Sequence, residues 1–265
     1  MTICLIPLDI NKRAKMLPRV AIVAALGLAG ASANAAFLPF TVDEGSVPDA
    51  TANAPANVGK FTGLYSEIIT INDDFSLDYV GVVSWAGLGD VDGGPVPNQI
   101  GCFGPNCYDT YAIFMGSGTF TGSDFSITSG TLQWLIDPDQ DTEITFNGGG
   151  ADGVTIGGTV DDDYDIANAV NLALGIGIPG TPGAFQAIWD DLVLTAEGEA
   201  YFPAPDPFYM VVEATGDFDQ DTFAPGTFLL TGDVSAAFEV PEPASIALLG
   251  LGMLGFAARR RRAAV

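Results

Sequence analysis

Acidic side chains at every second position are the feature of this chain best suited to chemistry. Residues 137–143 read Asp137-Pro-Asp139-Gln-Asp141-Thr-Glu143, and residues 217–222 read Asp217-Phe-Asp219-Gln-Asp221-Thr, with Asp-Gln-Asp-Thr in common. In a loop, alternate carboxylates can converge on one hard cation, and calcium takes about six to eight oxygens. The expected ligands are Asp137, Asp139, Asp141, Glu143, Asp217, Asp219 and Asp221, with calcium as the ion. Neither run is an EF-hand loop. The sixth position is Thr142 or Thr222 where that loop needs glycine, and the twelfth is Gly148 or Phe228. Asp161-Asp162-Asp163-Tyr164-Asp165 and Asp90-Val91-Asp92 are further candidates. The competing reading is structural: aspartates make turns and keep strand edges wet.

Other chemistries are excluded by composition. The chain has no histidine, which removes Ser-His-Asp and Cys-His catalysis, imidazole bases and His-ligated zinc. Paired carboxylates permit glycoside hydrolysis. With so many acids in the chain, some pair always falls at a suitable separation, so the signal decides nothing. Trp85, Trp134, Trp189, Tyr201 and Tyr209 are candidates for stacking on sugars. Trp134 lies in the apolar run 132–136 and reads as core, whereas Trp189 precedes Asp190 and Asp191 and reads as exposed. No enzyme activity is expected. Cys102 and Cys107 close Cys102-Phe-Gly-Pro-Asn-Cys107, which in an exported chain reads as one disulfide around a tight turn.

The elements that must position these groups are strands. In the stretch 75–85, Phe75, Leu77 and Tyr79 alternate with polar neighbours. Further strands are expected over 63–71, 111–120, 125–136, 143–146, 154–160, 186–196, 208–218 and 226–240. Residues 165–174 have Ile166, Val170 and Leu174 at helical spacing, but the segment is short and reads as strand. Residues 87–105 read as a loop and 41–57 as an extended arm. Many short strands, frequent turns and 33 glycines point to an all-β antiparallel sandwich or jelly roll in a single domain.

Both ends read as routing signals. Lys12, Arg13, Lys15 and Arg19 precede the apolar stretch 20–31, and Ala33-Asn34-Ala35 fits the small-x-small cleavage rule. Residues 1–35 are therefore expected to be a secretory signal peptide, with Met16 as an alternative start. At the other end, Val240-Pro241-Glu242-Pro243 leads into the apolar run 244–258 and then Arg259, Arg260, Arg261 and Arg262. That run spans about 22 Å as a helix, short of a bilayer core of about 30 Å. The arginines favour the cytoplasmic face.

Between the ends, residues 36–239 form one acidic exported domain. It keeps one of the nine basic residues, Lys60, and 31 of the 33 acidic ones. Such a field excludes nucleic acid, whose phosphates need Lys and Arg. It favours solubility and cation attraction.

The order Val240-Pro241-Glu242-Pro243, short apolar helix and terminal arginines resembles the PEP-CTERM sorting signal. The resemblance implies a Gram-negative bacterium that makes extracellular polysaccharide. It also implies processing by a membrane exosortase after the secretion machinery, with transient residence in the inner membrane. Residues 36–44, 136–142, 206–209 and 216–219 together resemble the flocculation-associated PEP-CTERM proteins. That likeness implies floc formation through extracellular polysaccharide, and it carries no catalytic motif. The expected function is matrix cohesion at the cell surface through cation bridging. The alternative is a calcium-dependent carbohydrate-binding lectin or a polysaccharide hydrolase.

Overall fold

Two-residue alternation builds the wall of this protein. In strand β4 (Ser76–Gly89), Leu77, Tyr79, Val83 and Trp85 point to one side and are buried, with Ser76, Asp78 and Ser84 opposite. The same logic holds along β3 (Lys60–Ile71), β6 (Asp109–Phe120) and β7 (Phe125–Asp137), which join β4 as successive antiparallel hairpins. The computed structural model describes residues 38–50, 55–146, 154–220 and 222–239. The expected signal peptide, the sorting residues 240–262 and Asp221 lie outside the described residues. No described helix is long and apolar enough to cross a membrane.

The chain returns to β3 through β11 (Leu172–Ile178), β12 (Ala184–Trp189), β14 (Val211–Gly216) and β15 (Gly226–Glu239), every neighbour antiparallel. β11 then pairs with the start of β7 at Ile176–Ser126 and Gly177–Phe125, so the sheet closes on itself. The expected all-β class holds, but the architecture is a barrel where a sandwich or jelly roll was expected. Bulges supply the bend. At the Thr62/Gly63 bulge of β3, a Cβ on Gly63 would collide with the Ser84 carbonyl, so only glycine fits.

Shorter elements dress the wall. β5 (Pro95–Val96) pairs with the end of β4, inside the stretch expected to be loop. β8 (Thr142–Phe146) and β9 (Val154–Gly158) form a separate hairpin. Its Ile144, Phe146, Val154 and Ile156 cover Val82, Tyr111 and Leu135 on the outer face. β10 (Tyr164–Ala169) pairs with the far end of β7 and with β13 (Val193–Leu194). The ambiguous segment 165–174 is therefore strand, split between β10 and β11. The expected arm 41–57 instead contributes β1 (Phe40–Val42) and β2 (Ala56–Val58), which pair with each other.

One α-helix, α1 (Ala196–Tyr201), lies within the described residues where strand was expected over 186–196 and nothing beyond. Thr195 caps it: its hydroxyl accepts from Gly198 N–H at 3.0 Å and donates to the Asp165 carbonyl at 2.6 Å. The helix brings Tyr201 and Phe202 onto one end of the barrel. There the Tyr201 and Tyr108 hydroxyls lie 2.7 Å apart, and Tyr108 donates to Glu44 Oε1 at 3.2 Å.

Aromatic rings fill both ends of the interior. Phe61, Trp85 and Trp134 pack with Phe40, Phe202 and Phe238 at one end, with Trp85 and Trp134 stacked at 5.0 Å. Phe120, Phe125, Phe218 and Phe223 pack at the other. Such pairs contribute about 0.5–1.5 kcal/mol each beyond area burial. Trp134 is fully buried, and its indole N–H donates at 2.8 Å to the Thr110 hydroxyl, which in turn donates to the Leu135 carbonyl. Thr110→Val keeps the volume but orphans that indole. Urea unfolding of this variant is expected to show a loss of about 1–3 kcal/mol, and an unchanged midpoint would show the bond to be dispensable.

Candidate metal centre

The site grows from the end of β7. Asp137 is 1% exposed, and its carboxylate folds back over the following loop. One oxygen accepts from the backbone N–H groups of Gln140 (2.7 Å) and Asp141 (3.4 Å), the other from Thr142 N–H (3.0 Å). The tight turn puts Gln140 in the left-handed region, φ 58°. Its side-chain amide donates to the Cys102 carbonyl at 2.8 Å and to Asp109 at 3.0 Å. Cys102 and Cys107 form the expected disulfide, their Cα atoms 5.4 Å apart. The disulfide loop therefore braces the acidic loop.

A second segment meets this loop from β9. Gly158 has φ 78°, and a Cβ there would collide with the Asp141 carbonyl, so glycine alone permits the approach. The chain then delivers Asp162 and Asp163. One carboxylate oxygen from each of Asp137, Asp141 and Asp162 lies within 4.8 Å of the others. Oxygens around one calcium at about 2.3–2.6 Å lie within about 5 Å of one another, so the group has the right span. Asp163 stands beside it, accepting from the Tyr111 hydroxyl at 2.6 Å and the Thr142 hydroxyl at 2.7 Å. One oxygen of Asp162 and one of Asp163 are buried without a hydrogen-bond partner.

The electrostatics are one-sided. Lys60 is the single basic side chain among the described residues. The Asp139 carboxyl is raised above its ordinary range, chiefly by the charge of Asp162. Burial raises Asp163, against the opposing hydrogen bonds from Tyr111 and Thr142. Burial also raises Asp109. The donor set is oxygen throughout, which suits a hard divalent cation, and a loop scaffold tolerates calcium's irregular geometry better than magnesium's octahedron. With calcium bound, Asp137, Asp141 and Asp162 would be its carboxylate ligands.

The remaining expected ligands are not gathered here. Glu143 is exposed on β8, outside the three-carboxylate group. In the second run, Asp217 accepts from the backbone N–H of Asp233 at 3.0 Å, Asp219 is exposed, and Asp221 lies outside the described residues. Asp90 is a turn residue, accepting from the N–H groups of Asp92 and Gly94. Among the aromatics, Trp189 is 4% exposed, against the expectation of a surface ring. β12 alternates, and Trp189 falls on its inward face with Phe185 and Ala187. In the sequence Asp162 belongs only to its own acidic cluster, and nothing local joins it to Asp137.

Comparison with known proteins places the chain's traffic. Residues 239–262 match the PEP-CTERM protein-sorting motif. The chain carries a PEP-CTERM sorting signal. This signal marks an exported protein of Gram-negative bacteria with exosortase as its processing partner. No curated protein and no solved structure matches the chain.

Two outcomes follow. Calcium at about ten times its dissociation constant should stabilise the fold by about 1.4 kcal/mol. Thermal melts should show the midpoint rising with calcium in the native chain and not in Asp162→Asn. In the metal-free protein, Asp109, Asp139 and Asp163 bind protons more tightly folded than unfolded. Their contribution is full below the unfolded carboxylate range and is lost as pH rises through their raised values. The metal-free midpoint should therefore be higher near pH 5 than at pH 7.5. Saturating calcium should narrow that difference, because protons displace the cation at the lower pH.

Proposed function

We propose that this exported barrel is a cohesion protein of the extracellular matrix. Its carboxylates take up divalent cations and through them bridge to acidic extracellular polysaccharide or to one another. The observation that carries the reading is the meeting of Asp137, Asp141 and Asp162 on the outside of a domain with 31 acids and one lysine. At low salt such a surface repels any anionic polymer over about 10 Å or more. A shared cation turns that repulsion into attachment. The sorting motif supports the location. The resemblance of residues 36–44, 136–142, 206–209 and 216–219 to flocculation-associated proteins supports floc formation as the biological result. The reading is of a binding protein without catalysis; the tryptophans, candidates for stacking on sugar, are buried in the barrel.

The test is a deletion strain scored for settling, complemented with the native gene or with Asp141→Asn/Asp162→Asn. The native gene should restore flocs that chelator disperses, and the double variant should restore export without flocs. Flocs unaffected by chelator, or fully restored by the double variant, would remove the cation bridge. Progressive shortening of the polysaccharide on incubation with purified protein would replace this reading with a hydrolase.

A further inference from the structure

The two aromatic plugs do not meet. Between them the barrel holds a chamber of about 90 Å³. The register explains it. Glu67 of β3 faces Gly81 of β4, which faces Phe114 of β6, which faces Leu132 of β7, so glycine occupies one inward position of the central ring. Phe114 and Glu67 lean over Gly81, where a Cβ would collide with both, so β4 sends no side chain into the interior at this level.

The chamber wall is mostly apolar; of its polar groups, Trp134 and Gln186 are paired with Thr110 and Glu213, whereas three others lack partners. Tyr65, Trp85 and Trp189 are 2%, 4% and 4% exposed. All three line the chamber, and the Tyr65 hydroxyl and both indole N–H groups have no hydrogen bond. Leaving a buried polar group unpaired is costly, so three around one void call for an occupant. Glu67 lines the same space. Burial pushes its carboxyl up to about 8. It is therefore mostly protonated at neutral pH and can donate as well. The titratable groups it faces are Tyr65 from its own strand and Tyr79 from β4; both phenols are raised first by burial and then by the charge of Glu67, with Asp217 also acting on Tyr65. The inventory is rich in donors and poor in acceptors. A cation would face two indole N–H groups, whereas carbonyl or ether oxygens would satisfy them.

We propose that the barrel chamber is a binding site for a small uncharged organic molecule bearing carbonyl or ether oxygens, held by Tyr65, Glu67, Trp85 and Trp189. Water occupies about 30 Å³ in the liquid. The chamber thus takes about three waters, or one compact molecule of about five or six heavy atoms. A five-membered lactone or cyclic ketone has that size, an apolar edge for Leu132 and Phe114, and an oxygen edge for the donors.

All three tryptophans of the chain line this chamber, so their fluorescence reports its contents. The experiment titrates the full chain with γ-butyrolactone and, separately, tetramethylammonium. A saturable fluorescence change with the lactone is expected. Ala214→Met, which projects into the chamber from β14, should weaken binding by about tenfold or more with the melting temperature little changed. In the native chain affinity should fall by about tenfold between pH 6.5 and pH 9.5 as Glu67 loses its proton. Glu67→Gln should bind equally at both values, and it keeps the proposal testable if Ala214→Met fails to fold. No saturable change with the lactone means the chamber holds water only and overturns the proposal. So does saturation by tetramethylammonium in place of the lactone, or lactone binding by Glu67→Gln with the native pH profile.

Discussion

β11 meets β7 at two register positions, and the interior exists because of that meeting. An antiparallel sheet with one aromatic face must cover that face or leave it wet. Here the sheet covers itself. The strands that close it are far apart in sequence, so closure costs loop entropy that only the completed interior repays. The aromatic plugs at the two ends are that repayment. The hairpins β3–β4 and β6–β7 are local and can form early; the wall from β11 to β15 must arrive before any ring is fully dry.

The second constraint is charge. A barrel with 31 carboxylates and one lysine has almost no ion pairs to build with. Its acids are instead held by backbone N–H groups, as at Asp137, Asp90 and Asp217. This explains how a repulsive surface coexists with a defined fold: turn aspartates such as Asp90 and Asp217 contribute hydrogen bonds while staying partly exposed to water. Where two acidic turns come together, the charge of Asp162 raises the carboxyl of Asp139.

Most strands were legible because inward Phe, Tyr, Trp and Ile alternate with Ser, Thr and Asp along them. Closure was not, since period-two alternation is the same in a sandwich and a barrel, and the difference rests on Ile176 and Gly177 finding Ser126 and Phe125. α1 was missed because six residues including Gly198 give no helical periodicity; a tertiary contact with Ile166 selects that glycine. Asp137 and Asp141 stood out by spacing, whereas Asp162 joins them only through the β8–β9 hairpin. Trp189 misled because its acidic neighbours follow the end of the strand and say nothing of its face. Glu67 carries a readable signal: it sits in phase with Tyr65, Ile69 and Ile71, a carboxyl on the apolar side of a strand.

The scarcity of basic residues has a consequence for survival outside the cell. Digestive enzymes of the trypsin type cleave after lysine or arginine, and between residues 36 and 239 they find only Lys60. That bond sits at the start of β3, in register with Gly89, where the backbone is already committed to the wall and not offered as a loose tip. The same composition that makes the surface repulsive leaves the body of the protein nearly without scissile points for a whole class of secreted peptidases.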